Sequence, residues 1–188
     1  MKNLIAILLF LLPIFAFGQL TTTNPDTVCY QTSGSIYQVP SLGAGYTYTW
    51  TVTAPGVITS GQGTNQIGVN WSAASPGLIT NGVSVTATGP GGCTSSPVTV
   101  NVFILNVTPS ITAIGPFCST ASCVALSATP AGGSFSGPGV SNGQFCPQTA
   151  GPGTHTITYT YTQNGCTFTT TTTVTVNSVP VLSPIQHN

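Results

Sequence analysis

Apolar side chains recur at every second position along this chain, and threonine or serine fills most of the gaps. Tyr46, Tyr48, Trp50 and Val52 alternate with threonines. The same period returns at Ile67, Val69 and Trp71, at Val83, Val85 and Ala87, and at Val98, Val100, Val102 and Ile104. A strand points successive side chains to opposite faces, so each run predicts one buried face and one wet, hydroxylated face. Ala54-Pro55-Gly56, Ser75-Pro76-Gly77 and Gly89-Pro90-Gly91-Gly92 lie between the runs as turn signals. Helical periodicity is missing throughout. Short strands with regular punctuation predict an all-β sandwich.

The scheme then repeats. Cys123 to Ala128 reads as a strand, followed by turns at Gly132-Gly133 and Gly137-Pro138-Gly139. Ile157, Tyr159 and Tyr161 alternate with Thr156, Thr158 and Thr160, and Phe168 to Val176 forms the returning strand. Asn164-Gly165 between them is a strong two-residue hairpin signal. The expected organisation is a signal peptide over residues 1–18, one sandwich over 19–106, a second over 107–177, and a tail or truncated linker over 178–188. Asn106-Val107-Thr108-Pro109 and Asn177-Ser178-Val179-Pro180 each follow the last strand of a segment, so the second reads as the start of another connector.

The N-terminus has the three parts of a secretory signal: Lys2 in a short positive region, an apolar run from Leu4 to Phe17, and Ala16-Phe17-Gly18 before a cut ahead of Gln19. No later segment is apolar enough to span a bilayer, so the expected location is secreted or at the cell surface, with the periplasm as the other compartment.

Beyond that signal the chain has no lysine, arginine or glutamate, and Asp26 is its one acidic side chain. Nucleic-acid binding needs basic groups and is excluded. Glycoside hydrolysis needs two carboxyl groups, and a Ser-His-acid set cannot be assembled. Calcium and zinc sites lack ligands, so no catalytic residue, metal or cofactor is expected. The absence of lysine also leaves strand edges without their usual guard. Edge association that is only weakly sensitive to salt is expected.

Six cysteines, Cys29, Cys93, Cys118, Cys123, Cys146 and Cys166, fall after the signal. An even count in an exported chain predicts disulfides. Cys29 and Cys93 are the two in the first segment and are expected to pair. The other four allow three pairings. The favoured one joins Cys118 to Cys166 across the segment's ends and Cys123 to Cys146 within it. A bond from Cys29 into the second segment would refute the division at residue 106.

Tyr46-Thr47-Tyr48-Thr49-Trp50, Gly61-Gln62-Gly63-Thr64-Asn65, Val69-Asn70-Trp71 and Cys93 before a final strand resemble a PKD-like domain. The second segment is similar to immunoglobulin-like repeats of Bacteroidota surface adhesins and gliding-associated proteins. It carries that likeness in Phe117-Cys118, Ala128-Thr129-Pro130-Ala131-Gly132-Gly133, Phe135-Ser136-Gly137-Pro138-Gly139-Val140, Ala150-Gly151-Pro152-Gly153-Thr154 and Gly165-Cys166. The resemblance implies two tandem immunoglobulin-like (PKD-like) β-sandwiches acting as a non-catalytic structural or adhesive module. Its partners would be other surface proteins, further copies of itself, or a polysaccharide. Such repeats often have no cysteine near Cys123 or Cys146, and the presence of both here supports their mutual pairing. Asp26-Thr27-Val28 resembles a Bacteroidota O-glycosylation sequon, with Thr27 as the acceptor.

His155 shares a face with Ile157 and Tyr159 and reads as a packing residue. The competing function is a carbohydrate-binding module using an aromatic face drawn from Tyr30, Tyr37, Tyr46, Tyr48, Trp50 and Trp71. Of these, Tyr30 and Tyr37 are the expected ligand contacts, and the two tryptophans are expected in the core.

Overall fold

A computed structural model describes residues 25–185 and 187; the export signal expected at 1–18 lies outside them. Two β-sandwiches follow one another. In the first, β1 (Asp26–Cys29), β3 (Thr47–Val52), β6 (Gly77–Thr88) and β7 (Val98–Leu105) form a sheet in the order β1-β7-β6-β3. It faces a second sheet made of β2 (Ser35–Gln38), β4 (Val57–Ser60) and β5 (Gln66–Asn70), in the order β2-β5-β4. All pairings are antiparallel except β1 with β7, which is parallel.

The alternating residues meet between the sheets. Tyr48, Trp50, Val83, Val85, Val102 and Ile104 from one sheet pack with Tyr37, Ile67, Val69 and Trp71 from the other side, all buried. Burying each such side chain contributes about 1.5–3 kcal/mol, which makes this face the principal source of stability in a chain without ion-pair networks. The facing threonines stay outside, as the period of two requires.

The second sandwich repeats the arrangement of the first four-stranded sheet. The order β12-β15-β16-β9 combines β9 (Phe117–Cys118), β12 (Ser134–Ser136), β15 (Gly153–Gln163) and β16 (Cys166–Asn177). Again the sheet's first strand lies parallel to its last, and its penultimate strand separates the last from the second. The opposite layer is fragmentary: β8 (Ser110–Ile111) pairs with β11 (Ala128–Thr129), and β14 (Gln144–Phe145) lies between β10 (Val124–Ala125) and β13 (Val140–Ser141). The strand expected from Cys123 to Ala128 is therefore two short strands serving different sheets. One four-residue helix, α1 (Pro147–Ala150), departs from the all-strand expectation, with proline in its first turn where a missing N–H costs nothing.

A separate core of Phe145, Ile157, Val174 and Val176 holds this sandwich together. Tyr159 is buried beside it, and its hydroxyl donates to the Pro130 carbonyl at 2.6 Å and accepts from the Gly133 amide at 2.7 Å. The turn between β15 and β16 is Asn164-Gly165, both at positive φ (49° and 78°), the backbone a two-residue hairpin needs. The architecture is thus all-β, two immunoglobulin-like sandwiches in tandem.

The disulfides correct the expected framework. Cys29 joins Cys166, and Cys123 joins Cys146, while Cys93 and Cys118 are free and exposed. Strand direction gives the reason. Cys29 is level with Leu105, at the end of β7, whereas Cys93 sits in the turn before β7 begins. The eight-residue length of β7 separates them by roughly 25 Å of strand rise, against a Cα spacing below about 7 Å in a disulfide. Cys118 is level with Asn177, at the opposite end of twelve-residue β16 from Cys166, roughly 37 Å away by the same rise. Cysteines thus do not stay within their own segments. The two cores nonetheless draw on residues 28–104 and 114–176 without mixing, and the bond is a clamp between them.

Candidate functional site

The most regular surface feature is a double rank of hydroxyls. Strict register in the long hairpin sets Thr154 opposite Thr175, Thr156 opposite Thr173, Thr158 opposite Thr171, Thr160 opposite Thr169 and Thr162 opposite Thr167. Their alternate neighbours Ile157, Tyr159, Val174 and Val176 point into the core, so the threonines line the outer face; Thr158 and Thr160 are half-buried and the rest exposed. Ser134 and Ser136 of β12 extend the face level with Thr160 and Thr158. The equivalent sheet of the first sandwich does likewise, pairing Thr47 with Thr88, Thr49 with Thr86 and Thr51 with Ser84. Each hydroxyl can donate and accept, and each threonine adds a methyl group. Such a face makes hydrogen bonds and van der Waals contacts without any charge.

The free edge of β3 is guarded in an unexpected way. The Gln62 side-chain amide accepts from the Trp50 amide at 3.0 Å and donates to the Trp50 carbonyl at 2.9 Å, taking the place of a neighbouring strand. Gly61 and Gly63 on either side have φ of 83° and 91°, which lets the loop turn back onto the strand. The Tyr48 amide also donates to the Gly63 carbonyl. In the sequence Gln62 stands only within the PKD-like run 61–65, and its flanking glycines are the signal for this guard.

The aromatic set does not form a sugar-stacking face. Trp50 and Trp71 are in the core as expected, and Tyr37 and Tyr48 are buried with them, which removes Tyr37 as an expected ligand contact. Tyr30 and Tyr46 remain exposed but at opposite ends of the first sandwich. The Tyr30 amide donates to Leu105 at the end of β7, and Tyr46 precedes Thr47, which pairs with Thr88 just before the Cys93 turn. Roughly 25 Å of strand lies between those ends, too far for one sugar ring to touch both.

Asp26 and Tyr37 are ionisable partners within the first sandwich. The Tyr37 hydroxyl donates to Asp26 Oδ2 at 2.8 Å. Burial, then the neighbouring carboxylate and the hydrogen bond it accepts, push the Tyr37 phenol well above its ordinary range. The Trp71 indole N–H lies beside the Tyr37 oxygen but makes no hydrogen bond of good geometry. Thr27, next to Asp26, lies half-buried in β1 with its side chain on the face opposite buried Val28.

His155 is half-buried, its Nε2 2.8 Å from the Gly151 carbonyl and its ring beside Phe145. Among the described residues no three His, Cys, Asp or Glu side chains gather into a metal-binding group, and no helix is long and apolar enough to cross a membrane.

Between the sandwiches, Cys29, Tyr30 and Gln31, the connector Asn106–Pro109 and Thr167–Thr170 of β16 line an open cleft of about 490 Å³. The Cys29–Cys166 bond ties the two sandwiches together here, with Cys29 in the wall of the cleft.

A model of the PKD-like domain matches residues 17–102. The match ends within β7, so it spans the first sandwich and leaves the second outside. Among solved structures, the fibronectin(III)-like modules of Clostridium thermocellum CbhA are similar at 14% identity and TM-score 0.37, over 87% of this chain and 95% of that one. Extracellular domains 3–5 of Drosophila OTK are similar at 14% identity and TM-score 0.40, over 83% of this chain and 59% of that one. Among curated proteins, none matches.

Proposed function

We propose that this chain is an exported, non-catalytic spacer and contact module, with domains over 19–106 and 107–177 and a tail over 178–188. It holds two hydroxylated sheet faces at a fixed separation outside the cytoplasm and touches other surface proteins or further copies of itself through them. The observation that carries this reading is the in-register threonine face on a frame clamped by Cys29–Cys166. Two disulfides support an oxidising compartment, and the PKD-like match supports a modular surface role. The resemblance to Bacteroidota surface repeats supports that source, and Thr27 is the proposed O-glycosylation site.

Beads coated with the oxidised chain test the contact role. They should cluster, with little change between low and high salt, and clustering should be lost when Thr158→Lys and Thr171→Lys place two like charges opposite each other. Beads that stay dispersed, or clusters indifferent to the two lysines, would sink the proposal. Sugar binding is disfavoured by the buried aromatics. Tryptophan fluorescence should therefore stay constant on titration with polysaccharides.

A further inference from the structure

We propose that the Cys29–Cys166 bond is a tension shunt, so that force applied to the two ends of the chain follows β1 and β16 alone and leaves the other strands of both sandwiches out of the covalent load path. This deepens the spacer reading, since tension reaches the module only when both ends are held. The inference rests on connectivity. Cys29 is the last residue of the first strand, and Cys166 is the first residue of the last strand. Force entering ahead of Asp26 passes along the four residues of β1, crosses the disulfide, and leaves along the twelve residues of β16. Everything between, a sequence separation of 137 that includes the other fourteen strands, the connector and the whole first core beyond β1, sits in a closed covalent loop off the covalent line of force.

Strand direction suits this route. β1 runs parallel to β7 towards the connector, and β16 starts at the junction and runs away to the level of Phe117 and Cys118. The load path therefore enters and leaves the junction in one sense along each sandwich. No strand of one sandwich packs lengthwise on a strand of the other among the described residues. Without the bond, the connector Asn106–Pro109 would be the one covalent link between the cores, and the full chain would lie in the line of force. The expected alternative, Cys29 with Cys93 and Cys118 with Cys166, would leave that connector in the load path.

Single-molecule stretching of the full chain, held by handles ahead of Asp26 and beyond Asn177, reads the difference directly. The oxidised protein should lengthen by no more than β1 and β16 supply, about 5 nm at roughly 3.4 Å per residue. Cys29→Ser with Cys166→Ser should release the 137-residue separation less the 23 still closed by Cys123–Cys146, about 40 nm more at the same rise. Should that variant fail to fold, the wild-type chain held under constant force supplies the same comparison. Adding a thiol reductant should produce a discrete lengthening of tens of nanometres, as the reductant thiolate attacks one sulfur and the other leaves as a thiolate. Tens of nanometres released by the oxidised chain, or no lengthening on reduction, would overturn the shunt. Loss of bead clustering would leave these traces unchanged, so the two ideas fail separately.

Discussion

At single positions, the stability of this chain rests on close fit and on a few neutral hydrogen bonds. Gly56 shows the first. A Cβ there would press into the Trp71 ring and Val52, both packed in the first core, so Gly56→Ala should cost about 1–3 kcal/mol in denaturant unfolding. A cost near zero would mean that the Trp71 site is loosely packed. Tyr37 shows the second. Its folded-state ionisation lies far above the ordinary phenol value near 10, so its contribution is complete below about pH 10. Above that, the unfolded chain releases the proton while the folded one holds it, and stability should fall as pH climbs. Tyr37→Phe should flatten that alkaline decline; an equal decline in both proteins would remove Tyr37 as its cause.

At the level of strands, the question is how edges survive without lysine. The Gln62 amide, paired both ways to the Trp50 backbone, closes β3 by imitating a strand, and the Gly61–Gly63 turn holds it there. Gln62→Ala should reopen that edge: self-association measured by sedimentation should strengthen, with unfolding easier by about 1–2 kcal/mol for two lost hydrogen bonds. Unchanged sedimentation would show that the edge was never open to pairing. This guard also narrows the expectation of association at unprotected edges, because one long edge is already occupied. Alternation made the long strands legible, since Tyr48 and Trp50 or Ile157 and Tyr159 repeat at the period of a pleated sheet. The Asn164-Gly165 turn was legible for an equally local reason. The strand expected at 123–128 failed because two-residue strands carry too few positions for any period to register. Tyr37 misled because alternation tells that one face is buried, not which face it is.

Across the molecule, covalent ties matter more than in a charged protein, because no network of ion pairs shares the work. Closing a loop of 137 residues limits the unfolded ensemble of both sandwiches at once, worth about 5 kcal/mol on chain-entropy grounds, against about 3 kcal/mol for the 23-residue loop of Cys123–Cys146. Counting cysteines by segment could not find the longer bond. It depends on β1 lying parallel to β7, a pairing between residues far apart in sequence that brings Cys29 to the junction and leaves Cys93 at the remote end. Cys118 is remote for the matching reason, held level with Asn177 beyond the second core. The free thiols therefore sit away from the junction, one on each sandwich, where neither can reach its expected partner. Iodoacetamide applied to the native, unreduced protein should add two groups per chain, on Cys93 and Cys118, and six after reduction in denaturant. Peptide mapping should then recover Cys29 bridged to Cys166. A native protein that takes up no label, or a map that joins Cys29 to Cys93, would overturn this framework and return the connector to the path between the two ends.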